Sequence, residues 1–322
     1  MSLLETPFAV ATGTYCIPTD YPVVADCPLW IYLVQSESGR AALIDCGVPT
    51  TYERVLAPAL PALAVRPDQI EWLVLTHGHP DHMGGHPGLR ARTPIRVAAP
   101  LEDVVWVESV ERQWHDFWDC FPGSFSLEAE REQIVGMCGG DIRVDQILRD
   151  GDVFELDDRR LEVIQTRGHT RGHCALFERE TGILFCGDDV QARGTPASSG
   201  TSVFAPLYDD VEDYLAGLER LRDLPFELLC PAHHLPLRAD EGRAHIDASI
   251  AFVGEVDALV DGLLADTSAP LSTAQIAAAV GQLCGTDPPV SIQTMYTARA
   301  HLERAARAGR VVPHWAPARA QS

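Results

Sequence analysis

Apolar and polar positions follow two rhythms along the chain. Residues 30–45 (WIYLVQSESGRAALID) are two β-rich runs around Ser38-Gly39, which predicts a hairpin. Residues 71–76 (EWLVLT) form a short apolar run that stops at His77, the pattern of a buried strand delivering a loop. Residues 94–99 (PIRVAA) predict another strand, and four more short runs follow at 152–156, 160–166, 174–178 and 182–186. Gly, Asp and His clusters separate them. Helical spacing takes over later. Val211, Leu215, Leu218 and Leu221 recur at i, i+4, i+7 and i+10, giving one apolar face before Pro225. Ile246, Ile250, Val253 and Val260 repeat similarly in a later helix. Strand ends that carry polar loops are the layout of an α/β enzyme.

Segment 101–135 carries Trp106, Val110, Trp114, Phe117, Trp118, Phe121 and Phe125, mostly at helical spacing. It reads either as a helix packing this stripe on the core or as a lid that walls a substrate pocket. Trp106, Trp114 and Trp118 are the candidate wall residues, and Tyr208 is a further candidate for substrate contact. A boundary is expected near 265–271 (ADTSAPL), dividing residues 1–265 from 266–322. Beyond it, 272–280 and 291–308 predict two helices and 310–312 a strand, a winged-helix-like order. Residues 270–322 hold five arginines against Asp287 and Glu303.

Composition narrows the function classes. With 46% hydrophobic and 22% charged residues among 322, the chain has ample apolar surface for a core. No window of eighteen uninterrupted apolar residues is present, which excludes a membrane-spanning helix. The net charge is −21 and all 25 basic residues are arginine. That balance argues against broad nucleic-acid binding and against docking on anionic membranes. Met1–Pro7 has neither a basic start nor a long apolar stretch, so no secretory signal is expected. The nine cysteines form no paired framework; Cys46, Cys174, Cys186 and Cys230 sit inside apolar runs, as small hydrophobes in a reducing cytoplasm do.

The stretch Thr76-His77-Gly78-His79-Pro80-Asp81-His82 places three imidazoles and a carboxylate directly after an apolar run. His and Asp are the usual nitrogen and oxygen ligands of zinc and similar first-row metals. Three single residues follow at the ends of further apolar runs: His169 in RGHT, Asp188 in FCGD and His233 in CPAH. Together they offer five His and two Asp.

This pattern resembles the metallo-β-lactamase-fold hydrolases. HGHPDH fits the H-x-H-x-D-H signature, and His169, Asp188 and His233 follow in family order, over roughly residues 25–240. The resemblance implies a four-layer αβ/βα sandwich, classed α/β, followed by the small helical, winged-helix-like segment. It implies two divalent metal ions, zinc foremost, with iron or manganese compatible. His77, His79 and His169 would hold the first, Asp81, His82 and His233 the second, and Asp188 would bridge them. The implied nucleophile is a metal-bridging hydroxide, with Asp188 and Asp81 the catalytic carboxylates and Asp81 a proton shuttle. Asp45, in LIDCG, would orient a metal-binding His from behind, and His173 would act similarly. Asp189 and His234 adjoin Asp188 and His233, and the family pattern favours the first of each pair. His86 and His115 are read as non-ligands.

Asp188 stands where antibiotic-hydrolysing members carry Cys or Ser, so the resemblance points to the glyoxalase II-like branch. The implied substrate is a small acyl compound: a carboxylic ester, thioester or lactone. The absence of lysine speaks against glutathione thioesters. His82 and His169 are 87 positions apart, and the excess holds the aromatic segment, which favours a bulky apolar acyl group. Alternatives are an endoribonuclease or phosphodiesterase, an iron-dependent oxidoreductase, and a metal-dependent binding module. A homo-oligomer is left open.

Overall fold

The computed structural model describes residues 6–21, 27–196, 202–266 and 270–311. The first sheet starts as an antiparallel meander, β1 (Phe8–Ala11), β2 (Thr14–Asp20), β3 (Pro28–Gln35) and β4 (Ala41–Ile44). It continues in parallel through β5 (Ile70–Val74), β6 (Arg96–Pro100) and β7 (Gln146–Leu148). Parallel neighbours need crossovers that cover the sheet, so β5 and β6 bury apolar residues on both faces, Trp72 and Ala98 on one and Leu73 and Val97 on the other. The second sheet has the order β15-β14-β11-β10-β9-β8. Its members are β8 (Val153–Leu156), β9 (Arg159–Gln165), β10 (Cys174–Glu178), β11 (Ile183–Gly187), β14 (Leu228–Pro231) and β15 (Leu237–Arg238). All pairs are antiparallel except β11–β14, between which helix α1 (Val211–Arg222) crosses over. A small ribbon pairs β12 (Thr195–Pro196) with β13 (Ser202–Phe204).

The two sheets face each other through Trp30, Tyr32, Ile44 and Val74 on one side and Phe154, Leu161, Leu176 and Phe185 on the other. Tyr32 meets Phe185 edge-on at 5.3 Å between ring centroids. Alternate residues of the same strands, such as Ile31, Leu33 and Leu43, pack outward on Tyr52, Leu56 and Leu60. The outer face of the second sheet lies under α1 and α2 (Ala239–Asp266), through Phe177 and Leu184 against Leu218, Ile246 and Val253. The order helix, sheet, sheet, helix is the αβ/βα sandwich expected from the sequence.

Helices α3 (Thr273–Cys284) and α4 (Ile292–Arg307) each start on a serine capping box, at Ser272 and Ser291. Their Ile276, Val280, Met295 and Tyr296 share one apolar cluster with Phe252 and Val256 of α2 and with Phe117 and Phe121. Arg310 and Val311 form no strand, and Val312 lies outside the described residues. Segment 101–135 is not one helix. It is broken into Val104–Val107, Val110–Gln113, one π turn, Trp114–Trp118, two short 3-10 turns and the start of Arg131–Met137; the break before Val110 falls where the Ser109 hydroxyl caps a new start by accepting from the Arg112 N–H. Among the described residues no helix is long and apolar enough to cross a membrane.

Candidate metal centre

The site lies where strand ends of both sheets meet. β5 ends at Val74, and Pro80 opens a single helical turn, Pro80–Met83. This turn carries Asp81 and His82 inward beside His77 and His79, all four buried. From the second sheet come His169 after β9, Asp188 after β11 and His233 after β14, also buried. The structure brings all seven side chains together, as three overlapping groups: His77, His79 and His169; His77, His82 and Asp188; Asp81, His82 and His233. Within each group the candidate ligand atoms lie within 4.8 Å of one another. Asp188 is central: its Oδ2 is 3.4 Å from His82 Nε2, 3.6 Å from His169 Nε2 and 3.3 Å from His233 Nε2.

The outward ring nitrogen of four imidazoles is occupied. His82 Nδ1 is 2.9 Å from Asp45 Oδ2, and His77 Nδ1 is 3.1 Å from Thr76 Oγ1. His169 Nδ1 is 3.1 Å from the Leu207 carbonyl and His233 Nδ1 is 2.7 Å from that of Pro28. Such contacts fix ring orientation and leave the inward nitrogen a bare acceptor. Inward, His77 Nε2, His82 Nε2 and Asp188 Oδ1 are buried with no hydrogen-bond partner among the described residues. His79 Nδ1 and His169 Nε2 converge to 2.9 Å. Orphaned buried acceptors are costly unless a cation satisfies them. The donor set therefore fits divalent first-row metal ions.

Electrostatics divide the five imidazoles into two sets. Burial first, then the neighbouring imidazoles, holds His77 and His79 well below the usual histidine range. Burial pushes His169 down to about 4. Burial opposes ionisation of Asp188, but His233 and His82 outweigh it and hold the carboxyl well below its ordinary value. Burial also opposes charging of His82 and His233, but Asp188 outweighs it and holds both well above the usual histidine range, so a bound cation would displace protons from these two imidazoles.

Asp45 carries φ +59°, a conformation few non-glycine residues adopt, and spends both carboxylate oxygens on Thr76 and His82. His173 is not among the grouped donors. Its Nε2 accepts the Asp188 backbone N–H at 3.1 Å, and its Nδ1 lies 2.7 Å from Asp189 Oδ2. Asp189 also accepts the His169 backbone N–H at 3.0 Å, so its carboxylate faces away from the ligand groups. A side chain at Gly187 would strike His173 Nε2 at 2.5 Å, which keeps this approach to glycine. His234 packs on the His245 ring, His86 faces the Gly140 carbonyl and His115 pairs with Glu111 on the surface.

A pocket opens over five of the seven side chains, His79, Asp81, His169, Asp188 and His233. Phe117, Trp118, Phe204, Leu207 and Ile292 form its apolar wall. Tyr21, Gln191, Thr195 and Gln293 add polar groups. Of the four candidate pocket residues, only Trp118 lines it. Trp114 is buried and stacked by Arg131, and Trp106 packs on Phe117 from behind. Tyr208 is fully buried, stacked on Tyr214 at 4.4 Å and bonded to His301. Sequence reasoning missed Asp103. Its carboxylate accepts from the Gly78 N–H, the Thr170 hydroxyl and the Gly172 N–H at 2.9, 2.7 and 2.9 Å, tying two ligand loops together. Gln113 donates to the Gly78 carbonyl, fastening the aromatic segment to the same loop.

Residues 24–233 match the family model of the metallo-beta-lactamase superfamily. The chain belongs to that superfamily. Among curated superfamily relatives, a hydroxyacylglutathione hydrolase of Methylococcus capsulatus is 28% identical over 208 residues, 64% of this chain and 61% of that one. One from Synechococcus sp. is 30% identical over 61% of this chain and 59% of its own length. An acyl-coenzyme A thioesterase of Gallus gallus is 32% identical over 47% of this chain and half of its own. The chain thus spans about three fifths or less of these relatives. A solved metallo-beta-lactamase family protein from Thermus thermophilus shares the fold, with a TM-score of 0.75 and 23% identity over 94% of this chain and 95% of that one.

Proposed function

We propose that this superfamily member hydrolyses a carboxylic ester, an acyl thioester or a lactone with an apolar acyl group. His77, His79 and His169 would hold one divalent ion, Asp81, His82 and His233 a second, and Asp188 both. Zinc is the first candidate, with iron and manganese compatible with the same donors. Bound ions would supply an acidified water and an electrophile for the scissile carbonyl. The observation that carries the reading is the position of the pocket: its apolar wall adjoins His79, Asp81, His169, Asp188 and His233 directly. Phe117, Trp118 and Leu207 would seat the acyl group and exclude water around the carbonyl. Asp81, whose Oδ2 lies 3.4 Å from His233 Nε2, would pass a proton to the leaving group.

The names of the hydroxyacylglutathione hydrolases and the acyl-coenzyme A thioesterase support a thioester. The pocket favours an uncharged one: no arginine lines it among the described residues, and the chain has no lysine. Anionic handles are normally gripped by such cations.

Metal-replete protein should be assayed on a lactone, an acyl thioester, an aryl ester, a cephalosporin, a phosphodiester and a structured RNA. Turnover of the acyl substrates, lost on chelation and in Asp188→Ala, is expected. Cleavage of the phosphodiester or RNA alone would overturn the reading. So would silence across the panel with bound iron and oxygen uptake.

A further inference from the structure

We propose that helix α4 is a positioning element of the metal centre, acting on His169 through the Leu207 carbonyl. The inference rests on the metal-binding reading above. Leu207 contributes no polar side chain, yet its carbonyl is the hydrogen-bond partner of His169 Nδ1 at 3.1 Å. That contact holds the Nδ1–H tautomer and leaves Nε2 free to face Asp188 and His79. The direction of the carbonyl therefore sets the direction of a ligand.

A backbone carbonyl in a loop is aimed only as well as its neighbours are held. Here both neighbours are held by α4. The Thr297 hydroxyl donates to the Pro206 carbonyl at 2.6 Å. The Tyr208 hydroxyl is 2.7 Å from His301 Nε2. Thr297 and His301 are four apart, so they project from one face of the helix as a two-pronged clamp with Leu207 between the prongs. Thr297, His301 and Tyr208 are fully buried.

The clamp is itself braced. His301 Nδ1 is 2.7 Å from Asp257 on α2, and Arg304 pairs with the same carboxylate at 2.5 Å. Tyr208 stacks on Tyr214, whose hydroxyl donates to the Asp189 carbonyl at 2.8 Å. Arg299, also on α4, reaches Asp209 at 2.5 Å, the residue after Tyr208. The Leu207 N–H is taken by Gln191 Oε1 at 3.2 Å. Among the described residues, neither the Thr297 nor the His301 side chain hydrogen-bonds to α3. Their hydrogen bonds all lead to residues 206–208 or to the carboxylate that braces them. α4 also begins in the pocket wall at Ile292 and Gln293, so one helix would set both a metal ligand and the substrate wall.

The test is metal binding, read apart from turnover. Apo protein would be titrated with Zn2+ against a chromophoric chelator, and with Co2+ for its visible absorption. Tyr208→Phe and Thr297→Val each remove one prong, and Thr297→Ser restores the hydroxyl. The expected result is about a tenfold loss of affinity for one of two ions in the first two variants. A changed Co2+ spectrum should accompany it, with Thr297→Ser close to wild type. Far-UV circular dichroism checks folding; if Tyr208→Phe fails to fold, the Thr297 pair decides. Wild-type affinity and spectrum in a folded Thr297→Val overturn the clamp. A wild-type protein that takes up no ion overturns the metal-centre reading itself, a separate outcome.

Discussion

Asp103 is a carboxylate sealed behind the ligand loops, and burial raises its pKa even though three donors surround it. Asp103→Asn would turn an amide N–H against one of those donors while keeping the shape. Metal affinity should fall about 10–100-fold, measured by chelator competition on folded apo protein; an unchanged affinity would reduce Asp103 to a packing residue. His86 tests electrostatics away from the ligands. Burial holds it down to about 4, against about 6.5 when unfolded. The unfolded chain thus binds the extra proton between those values. Stability is full above pH 6.5 and falls toward pH 4 by up to about 1.4 kcal/mol per unit from this residue. Urea midpoints of His86→Gln should show a shallower slope than wild type over that window. At this scale the seven candidate donors are legible as one dense His/Asp motif, His77 to His82, and three single polar residues at the ends of apolar runs. Asp103 follows β6 in the same way, but aromatic neighbours drew the reading elsewhere. The Leu207 carbonyl has no side-chain signature at all.

Elements were legible where one face decides them. α1 and α2 follow their apolar periodicity and β10 is a continuous buried run, whereas β2 contains Pro18, which weakens a strand reading, and β7 spans only Gln146–Leu148. The aromatic stripe of 101–135 obeyed helical spacing and still broke; the break before Val110 falls at the Ser109 cap, which acts on the backbone and not on the stripe. Between elements, Arg159 of β9 is the main polar strut. It pairs with Glu178 of β10 at 2.5 Å and donates to the Gln35 carbonyl and Thr14 Oγ1 of the first sheet at 2.8 Å each. Both ionic partners are buried. Arg159→Met should cost about 3–5 kcal/mol in denaturant unfolding, since it strands a buried carboxylate. Adding Glu178→Leu should recover most of the loss. A single variant within about 1 kcal/mol of wild type would show the strut to be idle.

For the molecule as a whole, the seven candidate donors are also the polar seam of the sandwich. His77, His79, Asp81 and His82 follow the first sheet, and His169, Asp188 and His233 follow the second. Ions bound only by the folded chain stabilise it by linkage. The melting temperature should therefore rise on Zn2+ addition and drop on chelation, and Asp188→Ala should be insensitive to both. Equal melting of loaded and stripped protein would mean that the seam holds without ions. The same division of donors sets an order of events in biosynthesis. His77 and His233 are 156 positions apart, and neither proposed ion draws all its ligands from one sheet. While the chain is being made, the first sheet and its histidines leave the ribosome long before their counterparts. A nascent chain ending short of His233 offers only partial, weaker cages, open to whichever cation is abundant. If the proposed ions bind, their complement would thus be chosen late, once most of the polypeptide has been made.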